Sequence, residues 1–425
     1  MRTALLCFSL WLHGGALAAQ APAARIVIVP TIGSDHQFNL DYSVAHLAAL
    51  LDVIRPDGII IDDASTWLAR GCLLNAVPPE HHVALSHART RGIPILGLRD
   101  WPPTGVTDPY AASERAMLGA NQSARDTVAS RAAWREQLDR RTAEIARLYS
   151  HAPSTTGLAE LLTGGFAARE RALSSQQRTA GAARAAMLAD SVLRRIPAAS
   201  SREWAIVVNW AVAVPLMRTL HGRAGVTIVP VESFLPLPPG RLEARLDRTH
   251  LSWILSSNLD EFYGMWAPQA FARERLADLM RRLEIIAPDD PVTHYMRARW
   301  LMQNRDFAAA DTIFARLAAL DADVSFPFPI NGKWIRPPWR SVRRKAQLNH
   351  AHILDYQGKR EDALAIYREL IALGPQLDAE ARSFGFLYDD IQAAIRSYID
   401  VPYTASQSEA FRHLLGTVRR PECAP

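Results

Sequence analysis

Past the first twenty residues, the earliest apolar run is Arg25-Ile-Val-Ile-Val-Pro30, β-branched and closed by turn residues, which predicts a buried strand. Apolar positions at helical spacing from Asp41 to Ile54 predict a helix after it. Pro56-Asp57-Gly58 then breaks the chain, Ile59-Ile60-Ile61 predicts a second strand, Glu80 to Arg91 a second helix, and Ile93-Pro94-Ile95-Leu96-Gly97-Leu98 a third strand. Strands that are apolar throughout and alternate with helices predict an α/β domain with a parallel sheet covered on both faces and right-handed crossovers. From Ala111 to Ile196, Ala, Arg, Leu and Glu recur at helical spacing, broken near Pro153 and Gly164-Gly165, and predict an all-helical insertion placed over the open edge of the sheet. A helix from Glu203 to Leu220 and a strand from Val226 to Val231 follow, before a Pro-rich exit at Leu235 to Gly240.

Beyond Ser252 the pattern is helical, with an internal repeat. Ala351, Gly358, Ala363, Tyr367 and Pro375 fall where a helix-turn-helix repeat needs small or aromatic residues, and Ala298, Leu301, Ala310, Phe314 and Leu317 form an earlier copy. A poorer copy closes at Pro288, and an aromatic, proline-rich insertion from Phe326 to Trp339 separates the two better ones. These offsets resemble the tetratricopeptide pattern, and such repeats bind protein partners. The expected division is residues 1–18 as a signal peptide, 25–240 as the α/β domain with its insertion at 111–196, 252–405 as an all-α repeat domain, and 406–425 as a tail.

The signal peptide rests on Arg2, the apolar run Ala4 to Leu12 and the small-x-small site Ala16-Leu17-Ala18, which together predict export to the periplasm or secretion. No later segment reaches the roughly 18 uninterrupted apolar residues that a membrane span needs. Only Cys72 and Cys423 lie beyond the signal, too few for a cysteine-based metal site, and whether they pair is left open. The chain is 49% hydrophobic and 21% charged, in the globular range. Its 48 basic and 43 acidic residues are interspersed, giving a net charge of +5 without a basic run, which argues against nucleic-acid binding.

In an open parallel sheet, ligands bind past the carboxyl ends of the strands. Those positions hold Gly33-Ser34-Asp35-His36, then Asp62-Asp63, then Arg99-Asp100, and finally Glu232. An imidazole with several carboxylates suits a divalent metal such as Mn, Co or Zn, and the chemistry that follows is hydrolysis by a metal-bound water. Each residue also has a plainer role open to it: His36 as a loop hydrogen-bonder, Asp62 or Asp63 as a helix cap, Asp100 as a turn former, Glu232 as an arginine partner. The group His81, His82 and His87 lies on a helix without sharing one face and reads as solvated. No Gly-x-Ser-x-Gly elbow and no phosphate-cradling glycine loop is present in the sequence.

The segment 25–240 resembles the TraB/Tiki superfamily, which opens with a strand, a Gly-x-x-His motif, a helix, and a Pro followed by a strand ending in Glu. Gly33-Ser34-Asp35-His36 matches the first motif, and Pro56 with Ile59-Ile60-Ile61-Asp62 matches the second, with Asp in place of Glu. Arg202 and Asn209 resemble the family's Arg-led helix, and Val226 to Val231 its closing strand, although Glu232 stands where the family has His. The resemblance implies a metal-dependent hydrolase or peptidase acting on a protein or peptide. It implies His36 as a metal ligand, Asp62 as ligand or general base, and Arg202 as an electrostatic stabiliser, with Glu232 as a further catalytic candidate. The two departures leave a second expectation: a non-catalytic envelope protein that binds a partner through its helical repeats.

Overall fold

The computed structural model describes residues 23–33, 36, 39–64, 79–99, 158–173, 175–196, 202–259, 270–322, 324–328, 341–372 and 399. The signal peptide, Cys72, Cys423, Asp100, the 111–157 part of the predicted insertion, Trp334, Trp339 and the C-terminal tail lie outside them. Five parallel strands form one sheet: β1 (Ala24–Thr31), β2 (Gly58–Ala64), β3 (Ile95–Arg99), β4 (Glu203–Asn209) and β5 (Val226–Val229), in the order β3-β2-β4-β1-β5. The Ile- and Val-rich segments become strands because both of their faces are covered, so every side chain of Val27 to Ile32 can be apolar or inward-facing. Even-numbered residues of β1 (Ile26, Ile28) face one layer, and odd-numbered ones (Val27, Val29) face the other.

Two helices, α1 (Val44–Ile54) and α2 (Pro79–Arg91), pack on the Val27 and Val29 face. A kinked helical stretch then runs from Leu158 to Gly165, its break at Gly164 (φ 131°), and continues as α3 (Phe166–Ala172). On the other face lie α4 (Ser175–Arg195) and α5 (Trp210–Leu220), through Ala185, Leu188, Val192, Ala213 and Leu216. The described end of the predicted insertion is therefore a crossover helix seated on the face of the sheet.

The predicted helix over Glu203 to Leu220 is corrected by the structure: Glu203–Asn209 is the central strand, and only Trp210–Leu220 is helical. Ala205 and Val207 face one layer and Trp204, Ile206 and Val208 the other, so the segment is apolar on both sides and periodicity cannot separate it from the helix that follows. The strand fills the gap between β1 and β2, in register from Arg25↔Glu203 to Thr31↔Asn209 on one side and from Gly58↔Trp204 to Ile61↔Val207 on the other.

Beyond β5 come a short turn at Val231–Phe234, then α6 (Arg241–Arg245), α7 (Arg248–Leu259), α8 (Ala270–Ile286), α9 (Pro291–Gln303), α10 (Phe307–Ala318), α11 (Val342–Tyr356) and α12 (Arg360–Ala372). The last four form two helical hairpins. Ala298, Ala310, Phe314 and Leu317 are buried in the first, and Ala351, Ala363, Tyr367 and Leu370 recur at the same spacing in the second. Both hairpin turns carry a left-handed residue, Arg305 (φ 62°) and Gly358 (φ 74°), at the corresponding position. The architecture is thus a small parallel α/β sheet joined to a helical region, and one apolar core runs through both, from α1 and α2 through Trp253 and Leu255 to Tyr295 and Phe314. Ion pairs support the join: both Arg245 guanidinium contacts reach Asp52 of α1, and Arg275 of α8 binds Asp41 at 2.8 and 2.9 Å. None of the helices among the described residues is long and apolar enough to cross a membrane.

Gly58 sits beneath the Trp204 ring, where a Cβ would lie 2.3 Å from a ring carbon. Gly58→Ala must displace that indole from its place between β4 and the α4 layer. It should lower stability by about 1–3 kcal/mol in urea unfolding, and an unchanged midpoint would contradict this packing.

Candidate active site

The order of the strands decides where a site can lie. β1 and β2 leave their carboxyl ends toward α1 and α2, on one face, whereas β4 between them leaves toward α5, on the other. The elements that follow the strands therefore pack on opposite faces on both sides of β4, the topological switch point at which open α/β sheets place their ligands.

Three neighbouring strands present polar residues there on the α1–α2 face. Thr31 closes β1 and is the register partner of Asn209, which closes β4. Asp63 lies two residues past Ile61, the partner of Val207, where β2 shifts its register against β3. The first turn of α2 meets this row. Thr31 Oγ1 donates to Glu80 Oε1 at 2.9 Å, and Asp63 Oδ2 stands 3.4 Å from His81 Nδ1. Asp63 is fully buried, and Glu80 and His81 are 2% and 5% exposed.

Electrostatics sets the two groups of α2 apart from ordinary surface residues. Burial pushes the Glu80 carboxyl above the usual range, against the opposing pull of His81, its own backbone N–H and the Thr31 hydroxyl. Burial acts to lower the His81 pKa, but Asp63, Glu80 and Asp62 outweigh it and hold the imidazole above its ordinary value. A buried acid with a raised pKa beside an imidazole whose Nδ1 faces a buried carboxylate at 3.4 Å is an arrangement suited to general acid–base chemistry. With Nδ1 facing Asp63, the nitrogen that would exchange a proton is Nε2.

His36 has a different place. The ring is fully buried, Nε2 accepts from the Ile32 N–H at 3.1 Å, and Nδ1 donates to the Tyr42 carbonyl at 2.7 Å. Burial chiefly, with His46 adding to it, lowers its pKa to about 3 against the effect of the Tyr42 bond, so the ring is neutral and both nitrogens serve the backbone. The motif holds a loop: Gly33 takes φ 62° with its open side against Asn209 Nδ2, and Tyr42 Oη donates to the Pro30 carbonyl at 2.7 Å. With its lone pair turned to Ile32, His36 does not fit a metal in this conformation. Among the described residues, no group of three or more His, Cys, Asp and Glu side chains is placed to hold one.

Asp62, Arg202 and Glu232 are not brought together. Asp62 points to the opposite face of the sheet from Asp63 and pairs with Arg184 of α4. Arg202 precedes β4 at the amino edge, about 20 Å from the strand end at ~3.3 Å per residue. Glu232 is exposed in the turn after β5, three strand spacings or about 14 Å from β2. The reading of His81, His82 and His87 as solvated is also corrected: all three are buried, because α2 is covered by the sheet on one side and α7 on the other. Asp63 was within reach of the sequence, since it continues the Ile59, Ile61 alternation. Glu80 and His81 carried no such signal, being placed by the docking of α2.

These features define a parallel α/β protein with an acid- and histidine-lined carboxyl edge, joined to a helical region. No family model matches the chain, and neither a curated protein nor a solved structure does.

A histidine held neutral in the fold but free to protonate when unfolded contributes stability that is full above the ordinary pKa of 6.5 and is lost as pH falls toward the folded value. His36, lowered to about 3, and His46 and His87, each lowered to about 4, all act in this direction. Urea unfolding across pH 7 to 4 should show stability falling with acid. His36→Gln, whose amide can still serve the loop, should reduce that slope by up to about 1.4 kcal/mol per pH unit, and an unchanged slope would contradict the buried neutral ring.

Proposed function

We propose that the protein is an exported hydrolase of protein or peptide substrates, with Asp63, His81 and Glu80 as its acid–base machinery. The observation that carries this reading is their buried grouping at the carboxyl edge beside β4. Asp63 faces His81 Nδ1 at 3.4 Å, and His81 Nε2 takes the proton of a water that attacks the acyl carbon. Glu80, kept protonated further up the pH scale by burial, returns a proton to the leaving amine. Asn209, at the head of α5, can offer its amide Nδ2 to the substrate carbonyl. The TraB/Tiki likeness adds a divalent metal, Mn, Co or Zn, but the His36 geometry speaks against that residue as a ligand, and no step here passes through a metal. Export rests on the residue 1–18 signal, to the periplasm or outside the cell. The hairpins α9–α10 and α11–α12 are read as tetratricopeptide-like repeats that hold a protein or peptide partner, supported by their recurring buried positions.

A second reading is a non-catalytic interaction protein of the envelope, favoured by how little of Glu80 and His81 reaches solvent. The two readings separate on the purified mature chain assayed with peptide and acyl-ester reporters, with and without Mn, Co and Zn. The hydrolase reading predicts turnover that falls on the order of 10²–10⁴-fold in His81→Gln and Asp63→Asn. A raised Glu80 pKa adds stability below the ordinary carboxyl range and loses it as pH rises. Glu80→Gln should therefore be less active yet more stable than the wild type at neutral and higher pH. An inert wild type, whose variants still bind partners through the repeats, would leave the interaction reading standing.

A further inference from the structure

Along the face of β1 that packs on α1 and α2, the row Val27, Val29 is apolar, and Thr31 continues it at the carboxyl end, fully buried. A valine would fill the same place, since it has the shape of threonine with a methyl in place of the hydroxyl. A hydroxyl is costly to bury unless it is hydrogen-bonded. The bond that satisfies this one runs to Glu80 Oε1, at 2.9 Å.

The carboxyl at the other end of that bond has little else to hold it. Glu80 is 2% exposed, its Oε2 has no hydrogen-bond partner among the described residues, and the further hydrogen bond to the carboxyl comes from its own backbone N–H. The titratable groups around it are His81 on the same turn of α2, Asp62 and Asp63 on β2, and Tyr42 ahead of α1, whose hydroxyl is committed to the Pro30 carbonyl. His81 draws the carboxyl toward its charged form and Asp62 opposes it, but the side chain that donates to it is Thr31.

We propose that Thr31 is a positioning residue for Glu80, its hydroxyl engaging Oε1 as the acceptor oxygen and so leaving the exchangeable proton of the neutral acid on Oε2. A carboxylic acid carries its proton on one oxygen, and a donor at the other selects which. The same bond acts on acid strength. A hydroxyl that donates to a carboxyl favours the ionised form, so Thr31 restrains the rise that burial imposes and keeps Glu80 able to release its proton. The use of that proton in catalysis rests on the hydrolase reading, whereas the hold on the carboxyl does not.

The test follows the Glu80 carboxyl by NMR in the full mature chain, labelled with ¹³C at the glutamate side-chain carboxyls, its signal assigned as the one missing from Glu80→Gln. Thr31→Val keeps the shape and removes the hydroxyl, Thr31→Ser keeps the hydroxyl and removes the methyl, and Thr31→Ala removes both. The proposal predicts a titration midpoint about one pH unit higher in Thr31→Val and Thr31→Ala, and a midpoint close to that of the wild type in Thr31→Ser. A threonine that served packing alone would leave the midpoint of Thr31→Val unmoved. A midpoint unchanged or lowered in the folded hydroxyl-free variants, or raised as far in Thr31→Ser, would overturn the proposal. No substrate enters the titration, so an inert wild type that shows these shifts contradicts the hydrolase reading alone, and an active one that lacks them contradicts the role of Thr31 alone.

Discussion

The lateral pairing of β4 between β1 and β2 is the constraint on which the rest of the structure depends. β1 and β2 are close in sequence but do not touch in the sheet; β2 pairs with β3 on its outer side, and the edges that β1 and β2 turn toward each other are filled only by Glu203–Asn209, from well over a hundred residues downstream. Without it those two facing edges would carry unpaired backbone groups in an apolar setting, an unfavourable state. The late strand also brings the second helical layer with it, since α4 precedes it and α5 follows it on the same face. Gly58 beneath Trp204 is the local signature of this fit, a missing side chain that lets the indole lie across the neighbouring strand.

The same insertion sets the position of the site. β4 leads to a helix on one face and both its neighbours to helices on the other, and Asn209 at its end is the register partner of Thr31. The first turn of α2 then closes the row from the side. Burial raises the Glu80 carboxyl against the pull of His81, whereas the carboxylates of Asp63, Glu80 and Asp62 outweigh burial at His81, so both depart upward from their ordinary pKa values for different reasons. α2 thus serves two regions: its first turn meets the sheet edge, and its second half meets Trp253 of the helical region.

Much of the fold was legible as local pattern. The three early strands and their two helices follow from apolar runs punctuated by Pro and Gly, and the helical hairpins from recurring small and aromatic positions. The central strand was not, because a segment buried on both faces loses the alternation that marks a strand, and here it runs directly into an apolar helix. The site was less legible still. Position at the end of a strand was the right place to look, yet it could not tell Asp62 from Asp63, two adjacent carboxylates sent to opposite faces and to opposite fates. What separates them is the helix each one meets, Arg184 of α4 for Asp62 and His81 of α2 for Asp63, at a point where β2 shifts its register against β3. His36 shows the complementary limit: its motif marks a loop that must be held, and the holding engages both ring nitrogens.

The most direct measurement of the central claim, that Asp63 and His81 act as a coupled pair at the carboxyl edge beside β4, is the pH titration of the His81 ring by NMR in the wild type and in Asp63→Asn. The structure predicts a ring that titrates above the ordinary 6.5 in the wild type and drops clearly when the facing carboxylate is neutralised. A His81 that titrates at or below that value in the wild type, and does not respond to Asp63→Asn, would contradict it.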